Sequence, residues 1–258
     1  MPRSSFGGRH ELGQNFLTHK PTTARIVDLV DATDGSILEI GAGDGHLTLP
    51  LERLGRPMRA IEIDEHRGKR LQSRVRGTSV VIGDVLRMPF DADVIVGNIP
   101  FHLTTPVLRK LLREPEWTEA VLLTQWEVAR KRASVGGATM MTAQSAPWFR
   151  FELVGRVPAR HFAPTPSVDG GLLRISRRRE PLVPAAEEKA YAAFVRAVFT
   201  GRGNGFARIV AGAAHIGPGQ AKGVVARAGI ASSCLPRDLS ATQWARLWRE
   251  IRRQPGRR

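Results

Sequence analysis

Short apolar runs separated by amphipathic stretches recur along the first two-thirds of the chain, and this alternation limits the fold more than any other feature. Residues 36–40, 58–63, 79–82, 93–96 and 120–123 are predicted strands. Between and before them, Ile26, Val27, Leu29 and Val30, then Leu47, Leu49, Leu51 and Leu54, then residues 65–76 and 103–112 carry helical spacing. Runs this short and apolar are buried on both faces, which a strand achieves between two layers of helices. The pattern predicts an α/β fold with a Rossmann-like, mostly parallel sheet.

Two more strands are predicted at 151–157 and 171–175, after which Arg177-Arg178-Arg179-Glu180-Pro181 reads as a boundary. Beyond it Tyr191, Phe194, Val195, Val198 and Phe199 recur at helical spacing, as do Trp244, Leu247, Trp248 and Ile251. The expected organisation is a basic arm over residues 1–10, a main domain over 11–179 and a small helical domain over 180–258 with a frayed tail.

Charge is divided unevenly between those parts. The chain of 258 residues carries a formal +15 and a pI near 11.4, which calls for a polyanionic partner. From Arg174 to Arg258 there are 17 basic and 5 acidic residues, a net +12, so most of the excess lies in the last third. The lone Cys234 has no partner for an internal disulfide, the N-terminus lacks a secretory apolar run, and no stretch approaches ~18 apolar residues. A cytoplasmic protein with no membrane contact is expected.

In an open parallel sheet, ligands sit beyond the carboxyl ends of the strands. Here those ends read Glu39-Ile40-Gly41-Ala42-Gly43-Asp44-Gly45, then Glu62-Ile63-Asp64, Gly83-Asp84-Val85, and Gly97-Asn98-Ile99-Pro100-Phe101. A dinucleotide fingerprint would put its third glycine at position 46, which is His46. Glu62, 21 residues after Gly41, suits a carboxylate accepting from ribose hydroxyls. Asp84 suits an acceptor for an exocyclic amino group, although a turn cap explains an isolated Asp equally well. No metal-ligand cluster is visible, because His46, His102 and His161 are scattered.

These motifs, in this order, resemble those of an S-adenosylmethionine-dependent adenine N6-methyltransferase. Leu12-Gly13-Gln14-Asn15-Phe16-Leu17 resembles the N-terminal signature of the rRNA adenine dimethylases, and residues 161–169 resemble that family's loop beside the target base. The resemblance implies that Gln14, Asn15, Leu17, Gly41, Gly43, Glu62, Ile63, Asp84, Val85 and Asn98 hold S-adenosylmethionine. It implies that Asn98, Ile99, Pro100 and Phe101 form the catalytic segment: the Asn98 side-chain oxygen and the Ile99 carbonyl take the two N6 hydrogens, Pro100 fixes the turn and Phe101 stacks on the base. Phe162 is then expected on the opposite face of a flipped adenine. Arg109, Lys110, Arg130, Lys131 and Arg132 are expected to contact RNA phosphates.

Residues 125–132 and 136–144 are similar to the Erm-type branch, which modifies 23S rRNA and confers macrolide, lincosamide and streptogramin B resistance. The housekeeping small-subunit (16S) branch would show a Ser-Lys-x-Tyr-Gly-type segment where Gly137-Ala138-Thr139-Met140-Met141 stands. A non-enzymatic RNA- or DNA-binding relative is the alternative from another class, against which intact Glu62, Asp84 and Asn98 argue. The expected partner is 23S rRNA before ribosome assembly is complete, and the expected state is a monomer.

Overall fold

A computed structural model of the chain describes residues 15–254. The expected arm over 1–10, Gln14 and the last four residues lie outside them. The order of elements is β1 (Phe16–Leu17), α1 (Lys20–Asp31), β2 (Ile37–Ile40), α2 (Thr48–Glu52), β3 (Met58–Glu62), α3 (Glu65–Gln72), β4 (Thr78–Ile82), β5 (Val94–Asn98), α4 (Thr104–Leu111) and β6 (Glu119–Gln125). Then follow α5 (Trp126–Arg132), α6 (Met140–Ser145), β7 (Phe149–Val157), β8 (Phe162–Ala163), β9 (Gly170–Arg177), α7 (Glu188–Thr200), α8 (Phe206–Ala214), α9 (Pro218–Arg227) and α10 (Ala241–Arg252).

Seven strands form one sheet in the order β4-β3-β2-β5-β6-β9-β7. β4, β3, β2, β5 and β6 run parallel, and β9 pairs antiparallel to β6. Strands β2 and β5 are buried along almost their whole length, as their unbroken apolar runs require. Between β2 and β5 the strand order reverses, and such a switch point opens a crevice at the strands' carboxyl ends. The pair β1–β8, two residues each, ties Leu17 to Phe162. Beside it the His19 and His161 rings stack with centroids 3.6 Å apart.

The chain divides into two compact units, residues up to Ala129 with Glu152–Ser176, and Arg130–Phe151 with residues from Arg177 onward. The excursion over 130–151, expected in the main domain, groups with the helices instead. The reason is tertiary: the Tyr191 hydroxyl donates to Ala143 O at 2.9 Å and the Gln144 amide to Ala192 O at 2.8 Å, fastening α6 to α7. Within this second unit Tyr191, Phe194, Trp244 and Trp248 are buried and meet ring to ring. No helix among the described residues is long and apolar enough to cross a membrane.

Candidate active site

The register Ile37↔Val94, Leu38↔Ile95, Glu39↔Val96 sets the end of β5 beside the start of the glycine loop. Gly97 makes that approach feasible, because a Cβ there would lie 2.5 Å from Ile40 O. The sequence alone does not mark this residue, since a glycine at a strand end signals a close approach only once its neighbour is known. Asn98 follows, and its Nδ2 donates to Asn15 O at 2.7 Å. A carbonyl can face only the amino side of an amide, so this contact fixes which way Asn98 points. Its Oδ1 remains the acceptor of the pair. Pro100 caps the short 3-10 turn Phe101–Leu103, with the Leu103 N–H on Pro100 O at 2.8 Å, and Phe101 is partly exposed on that turn.

The loop after β2 closes over its own glycines. Gly41, Gly43 and Gly45 all have positive φ, a conformation side-chain-bearing residues rarely adopt. The Gly43 N–H donates to Glu62 Oε2 at 2.6 Å and the Asp64 N–H to Glu62 Oε1 at 2.9 Å. Glu62 is thus a buried clamp joining the first two strand ends, with one lone pair of each oxygen left for a further donor. Phe16 lies over the same loop: a Cβ on Gly43 would come within 2.8 Å of its ring, and the Arg67 guanidinium sits 4.4 Å above the ring centre. Arg67 and Arg70 both pair with Asp44. Phe16 belongs to the motif at 12–17 but drew no role from its sequence; Arg67 gave no signal at all.

Glu39 lies under the loop and is wholly buried, and its Oε2 has no partner among the described residues. Burial pushes its carboxyl up to about 8, with the Glu62 charge adding to the rise and the Thr48 hydroxyl opposing it. Ile63 is 37% exposed at the end of β3, apolar surface of a kind a base would cover. Asp84 accepts from Leu86 N at 2.9 Å, the turn-capping role, and its other oxygen lies 3.6 Å from Arg87 Nε. Val85 is half-buried beside it.

The remaining expected residues lie in differing surroundings. Phe162 is 2% exposed and belongs to the core of the first unit, where a Cβ on Gly170 would touch its ring at 2.9 Å. Pairing of β8 with β1 turns it inward, so it offers no face to an incoming base. Leu17 is buried by the same pairing. Lys110 is occupied, with Glu114 at 2.6 Å and the Phe90 ring at 4.8 Å, whereas Arg109 on the same helix is exposed. Arg130, Lys131 and Arg132 fall in the second unit, where Arg132 donates to Thr139 Oγ1 at 2.6 Å and Lys131 is exposed.

The chain matches the family model described as "Ribosomal RNA adenine dimethylase" over residues 5–252. It is 51% identical over 212 residues to an rRNA adenine N-6-methyltransferase of Corynebacterium diphtheriae, covering 80% of this chain and 84% of that relative. It is 46% identical over 256 residues to the mycinamicin-resistance protein MyrB of Micromonospora griseorubida, covering 96% and 82%. The crystal structure of the 23S rRNA methyltransferase ErmE superposes with a TM-score of 0.85 at 30% identity, over 93% of this chain and all of that one. With a family match spanning almost the whole chain, and with the glycine loop and Asn98 meeting at the switch point, the chain belongs to the ribosomal RNA adenine dimethylase family.

Proposed function

We propose that this protein transfers a methyl group from S-adenosylmethionine to N6 of an adenine in 23S rRNA, the modification that confers macrolide, lincosamide and streptogramin B resistance. The observation that carries this is the oriented Asn98 amide, an acceptor held at the switch point by Asn15 O. The identities to the Corynebacterium enzyme and to MyrB, with the likeness to ErmE, favour the 23S branch over the small-subunit one.

The crevice fits the cofactor on its own features: a loop with no Cβ at three positive-φ positions, a clamp carboxylate with spare lone pairs, and the buried unpartnered Glu39 oxygen behind it. Glu62 would take ribose hydroxyls, Ile63 and Val85 would cover the adenine ring, and Asp84 would accept from its amino group. When bound, the cofactor supplies a methyl group on a sulfonium, an electrophile that needs no further activation.

The chain's residues have the harder task, because the N6 lone pair of adenine is delocalised into the ring. Asn98 Oδ1 and Ile99 O accept the two N6 hydrogens and so turn the lone pair toward the methyl group. Phe101 stacks on the base and holds it for in-line attack. N6 becomes acidic once alkylated, so its proton can leave without a strong base. Arg109 and Lys131, both exposed, supply phosphate contacts that attract RNA without reading its sequence. We assign the substrate as rRNA not yet buried in the assembled ribosome, acted on in the cytoplasm by a monomer.

Incubation with radiolabelled S-adenosylmethionine and naked 23S or 16S rRNA tests the proposal. Label in 23S rRNA at N6 of adenine is expected. Label only in 16S rRNA would transfer the chain to the housekeeping branch, and label in neither would leave it without the proposed activity.

A further inference from the structure

Arg67 touches three segments that reach the crevice from different parts of the chain. Its backbone N–H donates to Asp64 Oδ1 at 3.0 Å, at the start of α3, and the Asp64 N–H is in turn on Glu62. Its guanidinium pairs with Asp44 in the glycine loop, stands 3.8 Å from Asp64 Oδ2 and lies 4.4 Å above the Phe16 ring centre. Two carboxylates beside one guanidinium largely cancel its charge, so attraction of a polyanion does not account for its placement.

Arg70 and Arg74 follow on the same face of the helix, at steps of three and four residues, and both end on Asp44. Arg70 pairs with its carboxylate and Arg74 donates to its backbone oxygen at 2.7 Å. Among the described residues, Arg67 alone of the three also lies over a ring. That ring has little freedom: the backbone of Gly43 approaches it so closely that a Cβ there would be 2.8 Å from Phe16 Cε1, and the His46 ring meets it edge-on at 6.4 Å.

The carbonyl of Asn15 belongs to the peptide unit that ends at the Phe16 Cα. A peptide unit is rigid and planar, so whatever fixes Phe16 also fixes Asn15 O. Asn15 O is the acceptor that orients the Asn98 amide, at 2.7 Å. A continuous set of contacts therefore runs from α3 and the glycine loop, through Arg67 and Phe16, to the Asn98 side chain.

We propose that Arg67 is a positioning residue for methyl transfer: it pins Phe16 against the glycine loop and so holds Asn15 O where it turns Asn98 Oδ1 toward the target N6, an assignment that deepens the proposed role of Asn98 and rests on it. Cofactor loop and catalytic amide are thereby set in one geometry by a side chain that touches neither substrate.

The test reads the Asn98 side-chain amide by proton–nitrogen correlation NMR of the full-length protein, the signal being assigned by its loss in Asn98→Asp. Arg67→Ala should shift that signal and speed its exchange with water. In methylation of a 23S rRNA fragment the same variant should lower kcat about 3- to 10-fold, the scale of one cation–π contact, with KM for the RNA within twofold of the parent. Phe16→Leu, which keeps apolar bulk but removes the π-face, should act in the same direction, and the double variant should fall no further than the weaker of the two singles. An unmoved Asn98 signal in Arg67→Ala, or losses that simply add, would overturn the inference. So would a raised KM at parental kcat, which would make Arg67 an RNA contact. An equal fall in kcat from Arg70→Ala, which cuts an Asp44 pairing but no ring contact, would assign the effect to the glycine loop and overturn it too. A parent that methylates no RNA while its Asn98 signal still responds to Arg67→Ala removes the proposed activity alone, whereas a methylating parent whose Arg67→Ala variant keeps both signal and kcat removes this inference alone.

Discussion

Asn98 and Asn15, 83 residues apart, are joined by a single hydrogen bond of 2.7 Å from the Asn98 amide to the Asn15 backbone carbonyl. The contact couples the N-terminal segment to the end of β5 and leaves Oδ1 as the acceptor at the crevice. Asn98→Asp keeps the shape but sets a carboxylate oxygen against the Asn15 carbonyl, turning attraction into repulsion. We expect kcat to fall by at least ~100-fold, the scale of losing one preorganised hydrogen bond at a reacting group. Cofactor affinity should change less than ~10-fold, since Glu62 and the glycine loop stay intact. Single-turnover methylation beside calorimetric cofactor titration measures both; a variant with parental turnover would dissociate the amide from catalysis.

Phe101 is placed on the turn after Pro100 with part of its ring exposed, and it has only a π-face to offer. Phe101→Ala should lose about 1–3 kcal/mol of base stacking, seen as a 5- to 150-fold drop in kcat/KM. Phe101→Tyr, which retains the face, should restore it. Failure of Tyr to rescue would mean that the ring packs rather than stacks on the base.

The strand ends were legible because each change from apolar run to polar residue is local, and the sheet's parallel register then delivers those ends to one edge. Other features depend on neighbours distant in sequence. Gly97 matters through Ile40, and Glu62 clamps Gly43, a contact that its spacing from Gly41 does not announce. The β1–β8 pair is two residues long, too short to show a period, and it is what takes Phe162 into the core. The 130–151 excursion is contiguous with the main domain in sequence and is drawn to the helices by Ala143 and Gln144, each bonded to a residue 48 positions away.

Gly97→Ala tests the narrowness of the crevice. The added methyl would meet Ile40 O at 2.5 Å and Ile40 Cγ1 at 2.7 Å, both in the sheet interior, so β2 and β5 must separate. A loss of about 1–3 kcal/mol in urea unfolding is expected, with turnover reduced in the folded fraction because Asn98 is adjacent. Parental stability and turnover together would show that the strands part freely there.

Phe162→Ala distinguishes a core role from a stacking role. A buried phenylalanine truncated in a packed core costs about 3–5 kcal/mol, and we expect that loss in the unfolding midpoint with KM for RNA little changed in the protein that remains folded. The opposite pattern, an unchanged midpoint with a raised KM, would return Phe162 to the face of the target base.

Glu39 makes stability depend on pH in a direction opposite to most carboxylates. Its carboxyl is raised by burial from an ordinary 4.5 to about 8 in the folded chain. Below pH 4.5 both folded and unfolded forms carry the proton, and the group has no effect on the balance. Between 4.5 and 8 the unfolded chain releases the proton while the folded chain keeps it, so the folded state binds more protons and stability falls as pH rises. Above 8 the penalty is complete, on the order of a few kcal/mol. Glu39→Gln, neutral throughout and nearly isosteric, should flatten this slope and leave the variant more stable than the parent at pH 8.5. Urea midpoints from pH 5 to 9 measure it; an identical slope in the two proteins would place the titrating group elsewhere.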